Sequence, residues 1–386
     1  MFYRRNFIRS TVATLALASL ASSTAMFAAD AYTVYVGTYT GAKSKGIYAF
    51  DFNAATGKAG EARLVAEIAS PSFLALHPKG KVLYAVNEVN EVNSEKGGGL
   101  SAFKIEADGK LTLLNQASTV GSGPCHLTVD SKGRAVLVAN YGGGSVVSYR
   151  LEADGRLGKR GSFIQHTGSS VDKQRQEAPH AHGIYLDATD HFAYVPDLGL
   201  DKVLIYRFDG ATGELKANDP AAGVLPPGSG PRHFAQHPTK PLAWSLNEML
   251  STVTTMHVDK TNGGLKAGGT VSTLPAGLII EGNSTAEIFV HPNGKFLYAS
   301  NRGHDSIAAF AIDEADGALS PLQHQPIGGK TPRSFGIDPG GRWLLAAGQS
   351  SDVINVFALD DKTGRLAASS GTIAVPSPVC LVFLKR

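Results

Sequence analysis

The sequence predicts an all-β protein, a seven-bladed β-propeller of four-stranded antiparallel blades, and three observations carry that prediction. A strand motif of the form hydrophobic-Tyr-hydrophobic-x-Asn recurs at intervals of roughly 50 residues along the whole chain. Each copy is followed by a strand of period-two alternation and a Thr-Gly or Asp-Gly turn, the signature of a hairpin. The last residues form one strand too many, and the first copy has one too few.

Taken in order, the motif strands close on Thr38, Asn87, Asn140, Asp197, Asn247, Asn301 and Gly348. The alternating strand that follows is clearest at 46–52, before Ala55-Thr56-Gly57, and at 306–312, before Ala315-Asp316-Gly317. A weaker fourth strand comes next, as at 110–114. Ahead of every motif strand from the second onward lies a leading strand: 71–77, 124–130, 180–187, 231–237, 285–291 and 332–338. Residues 378–384 supply another leading strand with no successor, so the C-terminus is expected to complete the blade that the N-terminus begins. An open solenoid needs capping units at its ends; here the surplus at one end fits the deficit at the other, which favours a closed ring. The longest departure from the repeat, 168–178, is expected to be an extended polar loop over one face.

The first 31 residues stand apart. Arg4, Arg5 and Arg9 precede an apolar run at 11–20 and then small residues ending in Ala29-Asp30-Ala31, the layout of a cleaved secretory signal. Tyr3-Arg4-Arg5-Asn6-Phe7-Ile8 further resembles the twin-arginine export signal, which carries folded proteins. The apolar run is too short to span a bilayer. We therefore expect an exported, periplasmic protein with no membrane contact after cleavage, and a single domain over 32–386. Loss of the three arginines takes the formal charge from +3 to about zero, which leaves no basic stripe and excludes nucleic acid as an expected partner. Cys125 and Cys380 are the only cysteines, and the register sets them two blades apart, beyond the roughly 7 Å that a disulfide tolerates.

A hairpin returns the chain to the edge where it began. Residues at the start of each leading strand and just after each motif strand therefore open on one face. The lead positions hold Ser72, Cys125, His182, Arg232, Ala286, Arg333 and Val379; the exit positions hold Tyr39, Glu88, Tyr141, Leu198, Glu248, Arg302 and Gln349. Blades four to six thus bring His182, Arg232, Glu248 and Arg302 to one mouth as the candidate catalytic residues. Such a set suits addition of water to, or elimination across, an ester carbonyl in an acidic substrate. Paired arginines bind anions and stabilise charge developing on oxygen, while His182 and Glu248 exchange protons with water and the leaving alkoxide. No nucleophile elbow or Ser-His-Asp spacing is present, which favours direct attack by water. A solvated rim or an inter-blade ion pair would use the same residue types.

Glu88, Tyr141, His180, His233, Asn301, Arg333 and Gln349 are the candidate substrate-binding residues. His126 and His233 sit one residue past the lead position, where strict alternation turns a side chain away from the mouth. His77, His237 and His291 recur at turns of the opposite face and read as structural, and the Asn and Asp residues that end the motif strands read as caps. His180 and His182 form H-x-H without a third ligand at a metal-site spacing, so no metal is expected.

The chain resembles the seven-bladed lactonase family, which groups propeller-type bacterial 6-phosphogluconolactonases with fungal carboxymuconate lactonising enzymes. The likeness covers essentially the mature chain. It is carried by Ala178-Pro179-His180-Ala181-His182, Gly230-Pro231-Arg232-His233, Asn247-Glu248, the run from His291-Pro292-Asn293-Gly294 to Asn301-Arg302-Gly303, and Thr331-Pro332-Arg333 with Gly348-Gln349. The resemblance places the family's proposed active-site His, Glu and two Arg on His182, Glu248, Arg232 and Arg302, and implies hydrolysis of a sugar-acid lactone without metal or other cofactor. The expected partner is a small lactone or acidic sugar, bound by a monomer or a weak homodimer. A carboxymuconate-type lactonising cyclase and a non-catalytic exported propeller that binds a ligand or protein are the competing readings. Phosphorylated sugar lactones are cytoplasmic, so the export signal points instead to an unphosphorylated aldonolactone or a carboxylated lactone.

Overall fold

The computed structural model describes residues 30–92 and 95–386, so the expected signal segment, 1–31, lies almost wholly outside the described residues. Seven antiparallel sheets succeed one another around an axis, each with four strand positions from the centre outward. In blade five these are Pro231–Gln236, Leu242–Asn247, Thr252–Val258 and Leu265–Ser272. In blade one the outer position is split between Lys58–Ala59 and Arg63–Glu67, both paired with Gly46–Asn53.

The innermost strand of blade one is Pro378–Lys385, which runs antiparallel to Ala31–Thr38 with Tyr32 opposite Lys385 and Val36 opposite Leu381. The two ends of the propeller chain therefore close the ring, as the unequal first and last repeats imply. Phe383 also packs edge-on against Tyr32 and Phe52, with centroids 6.1 and 6.2 Å apart. An apolar cluster fills the space between neighbouring blades; blades one and seven meet through Val34, Phe50, Leu345 and Val356, all fully buried. Burying one such side chain stabilises by about 1.5–3 kcal/mol, against about 1 kcal/mol net for a hydrogen bond. Packing between blades, more than pairing within them, holds the ring.

In three of the blades the motif tyrosine's hydroxyl bridges to the next blade; in blade four the Tyr194 hydroxyl is buried without a partner among the described residues. Tyr35, Tyr84 and Tyr298 donate to Gly109 O, Gly155 O and Gly364 O at 3.0, 2.8 and 3.0 Å, and Trp244 substitutes its Nε1–H, donated to Gly317 O at 3.0 Å. Gly109 and Gly155 stand at φ of +80° and +88°, a turn conformation that side chains resist. The motif Tyr of one repeat and the turn Gly of the next are thus two halves of one contact. The repeated histidines act likewise, with His77 Nε2 and His291 Nε2 lying 3.1 and 2.7 Å from Gly133 O and Gly341 O of the following blade.

Two leading strands are shorter than the sequence pattern implies. Blade two ladders only Leu74–Leu76, and blade four only Tyr185–Leu186 with a lone bridge between Ala181 and Asp197. In blade four the backbone bonds His182 N–H to Pro196 O and Leu198 N–H to His180 O, both 2.9 Å, hold this bridge, and the Asp197 carboxylate takes the otherwise unpaired His180 N–H at 2.7 Å where His180 and His182 enter the mouth. Cys125 and Cys380 are buried free thiols in separate surroundings, Cys125 Sγ 3.6 Å from His182 Nδ1 and Cys380 Sγ 3.4 Å from Leu74 N. With no cross-link to restrain the unfolded chain, Tm is expected to be the same with and without reductant; a lower Tm on reduction would contradict this.

Candidate active site

Arg232 and Glu248 flank one hairpin. Pro231 pairs with Asn247, and the Glu248 N–H then closes onto Gly230 O at 2.8 Å, so both side chains leave the same edge of the sheet. Glu248 is 5% exposed, and three guanidiniums surround its carboxylate. Arg175 Nη2 donates to Oε1 at 2.7 Å, while Arg302 Nη2 and Arg232 Nε lie 3.0 and 3.1 Å from Oε2. Among the described residues the Nε–H groups of Arg232 and Arg302 have no aligned acceptor, so these two hold Glu248 by charge more than by directed bonds. Burial alone would raise the Glu248 carboxyl, but Arg302, Arg232 and Arg175 outweigh it and hold the group down at about 2. Glu248 is a carboxylate at any ordinary pH.

His182 Nε2 lies 4.0 Å from Glu248 Oε2. Burial first, then the positive charge of Arg232 and the neighbouring His233 and Arg333, push the imidazole well below its usual range, so it is neutral. The four candidate catalytic residues thus share one contact network on blades four to six. Around it, Tyr141 stacks on His180 at 4.7 Å and meets the His182 ring edge-on at 5.0 Å. Across the mouth, Glu88 accepts from Tyr39 Oη at 2.8 Å and Ser72 Oγ at 2.6 Å. The Arg333 guanidinium lies 5.2 Å over the Tyr39 ring and has no hydrogen bond from its side chain among the described residues. Gln349 begins a short 3-10 turn, Gln349–Ser351, at the exit of blade seven. Asn301 does not reach the mouth: it is fully buried, its amide donating to Thr273 O at 2.8 Å and its Oδ1 accepting from Thr273 Oγ1 at 2.7 Å. That is the capping geometry expected of the motif Asn, and it leaves nothing for a ligand.

Strict alternation turns His233 away from the mouth; a β-bulge overturns that expectation. Pro231 pairs with Asn247 but His233 pairs with Leu246, so Arg232 is an extra residue and the alternation restarts after it. Arg232 and His233 therefore stand side by side, with Nη1 and Nε2 3.1 Å apart. The same slip recurs at Cys125 and Arg333, and in blade six it sets both Ala286 and Glu287 against one partner residue. Glu287, absent from the sequence-based candidates, is thereby delivered to the axis with Oε1 2.6 Å from His233 Nδ1.

Arg175 is the other side chain at the mouth that the repeat could not find, since it lies in the 168–178 insertion. The loop does lie over the mouth, and it is anchored. Gln176, fully buried, donates to Leu198 O at 2.9 Å and Asp201 Oδ1 at 2.8 Å, and Asp172 Oδ1 accepts the N–H groups of Gln174 and Arg175. This holds Arg175 where its Nη2 also reaches Tyr141 Oη at 3.2 Å. The only signal the sequence offers for it is an arginine flanked by Gln174 and Gln176 within a polar insertion.

Residues 33–383 match the family model described as "Lactonase, 7-bladed beta-propeller". Over 92% of its length the chain is 34% identical to the 6-phosphogluconolactonase of Bacillus subtilis, of which 99% is covered. It is 35% identical to the 6-phosphogluconolactonase of Formosa agariphila, over 79% of this chain and 86% of that one. Among solved structures, the periplasmic gluconolactonase of Pseudomonas aeruginosa superimposes with a TM-score of 0.85 at 32% identity, covering 92% of this chain and 99% of that one.

Proposed function

The chain belongs to the seven-bladed β-propeller lactonase family, and its relatives in Bacillus subtilis and Formosa agariphila are named 6-phosphogluconolactonases; from that premise we propose that it opens a sugar-acid lactone by direct attack of water at the Glu248 mouth. The observation that carries the reading is one buried carboxylate held among three guanidiniums beside a neutral imidazole. Neutral His182 takes a proton from water as the oxygen adds to the lactone carbonyl. Arg232 stabilises the oxyanion of the tetrahedral intermediate, while Arg302, the more exposed of the two, binds the substrate's oxygens in ground and transition state alike. The ring C–O bond then breaks and the His182 imidazolium returns the proton to the departing alkoxide, giving the open hydroxy acid. Glu248 stays ionised throughout, keeps the arginines in place and stabilises the imidazolium 4.0 Å away. The rim groups Tyr141, His180 and Arg175 on one side, and Glu88, Arg333 and Gln349 on the other, bind the hydroxyls and acidic substituents of the sugar.

The export-type N-terminus and the likeness to a periplasmic gluconolactonase favour an exported protein acting on an unphosphorylated aldonolactone. The test is turnover by the purified mature chain of gluconolactone, its 6-phosphate and carboxymuconolactone, corrected for spontaneous opening. Gluconolactone is expected to be hydrolysed fastest. Turnover of carboxymuconolactone alone would replace the reading with the lactonising one, and no turnover of any would leave a binding propeller. Arg302→Lys keeps the charge but loses the planar fork, so KM is expected to rise about tenfold or more with a smaller change in kcat. An unchanged KM would remove Arg302 from substrate binding.

A further inference from the structure

We infer that Glu287 is a positioning residue for the proposed reaction: through His233 it fixes the orientation and charge balance of Arg232. The inference rests on the role given to Arg232 above. A guanidinium only donates hydrogen bonds. His233 Nε2, 3.1 Å from Arg232 Nη1, must therefore be the accepting nitrogen, which puts the ring proton on Nδ1, where it is donated to Glu287 Oε1 at 2.6 Å. The remaining contacts of the Glu287 carboxylate are the Ile288 N–H at 3.2 Å on Oε1 and Ser334 Oγ at 3.2 Å on Oε2. Arg232, His233 and Glu287 are each at most 4% exposed, so the contacts among these three groups are buried. Nη1 of Arg232 donates also to Ala286 O, the residue beside Glu287. The guanidinium is thus held from two directions, by the backbone beside Glu287 and by the imidazole that Glu287 orients.

Glu287 is also a titratable group in a revealing place. The groups facing it are Arg232, His233, His126, Tyr185, Cys380 and Arg333. Burial, followed by the nearby positive charge, keeps His126 and His233 neutral; burial raises the Tyr185 hydroxyl and lifts the Cys380 thiol to about 12. None of these changes charge near neutrality. Burial lifts the Glu287 carboxyl to about 7, against the lowering effect of Arg232 and His126. A cavity of about 450 Å³, walled by Phe73, Phe234 and Phe289, opens at the far end of the axis and reaches Glu287. Substrate at the mouth leaves that route open, so protonation of Glu287 acts in the substrate complex too. Above about pH 7 the carboxylate balances Arg232; below it the neutral acid does not.

The test is Glu287→Gln, which keeps the shape and removes the charge. At pH 8 kcat is expected to fall about tenfold while KM moves less than about threefold, on the scale of one charge-assisted hydrogen bond. The limb of the kcat profile near pH 7 should disappear, leaving only the lower limb of His182. The sign for stability is opposite to that of a purely structural carboxylate. A carboxyl raised in the folded state binds more protons folded than unfolded between about 4.5 and 7, so its burial weakens the fold above that window. Tm of the variant at pH 8 should therefore equal or exceed that of the wild type. Wild-type kcat with an unchanged pH profile, or a fall in Tm and kcat together, would overturn the inference. If the wild type opens no lactone, the proposed function has failed instead, and the positioning claim is read from histidine ¹⁵N shifts: His233 as the Nδ1–H tautomer supports it and the Nε2–H tautomer sinks it.

Discussion

Glu248→Gln is expected to lower kcat/KM on the hydrolysed lactone at least about 100-fold and to destabilise the fold by about 3–5 kcal/mol. Glutamine fills the same volume, so packing is not the cause. The substitution removes the carboxylate that Arg175, Arg232 and Arg302 share and leaves the buried Arg232 and the part-buried Arg302 without their nearest counter-charge. Breaking a buried ion pair from one side is far more costly than never having built it, because the desolvated partner remains. The two effects separate experimentally: turnover is measured at a temperature where circular dichroism shows the variant folded, and stability by thermal melting.

The pH dependence carries its own sign. Glu248 is held at about 2 in the fold and returns to about 4.5 when unfolded. Its contribution is fully present above the unfolded value and is lost as pH falls towards 2. The Tm gap between wild type and Glu248→Gln should thus be constant from pH 5 to 8 and close below about 4. A gap that persists at pH 2, or a variant with wild-type turnover, would mean that Glu248 is not the ionised centre of the mouth.

What the sequence makes legible follows from its periodicity. The repeat fixes register, register fixes which residues share an edge, and so His182, Arg232, Glu248 and Arg302 can be brought together without coordinates. Asn301 shows the limit of that reasoning, because position alone does not say whether an amide faces a ligand or caps its own strand. His233 and Glu287 are missed for another reason. A bulge inserts one residue into the leading strand, so two consecutive side chains face the axis, and nothing in a period-two pattern announces it. The types at that position are nevertheless informative: His126, His233 and Glu287 follow their lead residues where strict alternation requires an apolar inter-blade side chain. A glutamate there is incompatible with the core and is itself a reason to place it elsewhere. Arg175 escapes because insertions lie outside the repeat that constrains everything else.

His182→Ala is expected to cost at least about 100-fold in kcat/KM with little change in Tm. The two replacements differ physically. His182 is neutral, so its removal strands no charge, and the strand that carries it depends on Asp197 accepting the His180 N–H and on the Ala181 bridge, neither of which uses the imidazole. The space vacated beside Tyr141 and Glu248 lies at the mouth, where a small base can enter. Added imidazole should then restore part of the lost rate, in proportion to its unprotonated fraction. Rescue that follows the neutral form identifies proton transfer as the missing function. A loss of rate that imidazole cannot repair, accompanied by a raised KM alone, would make His182 a binding residue and pass the base role to water held elsewhere in the mouth.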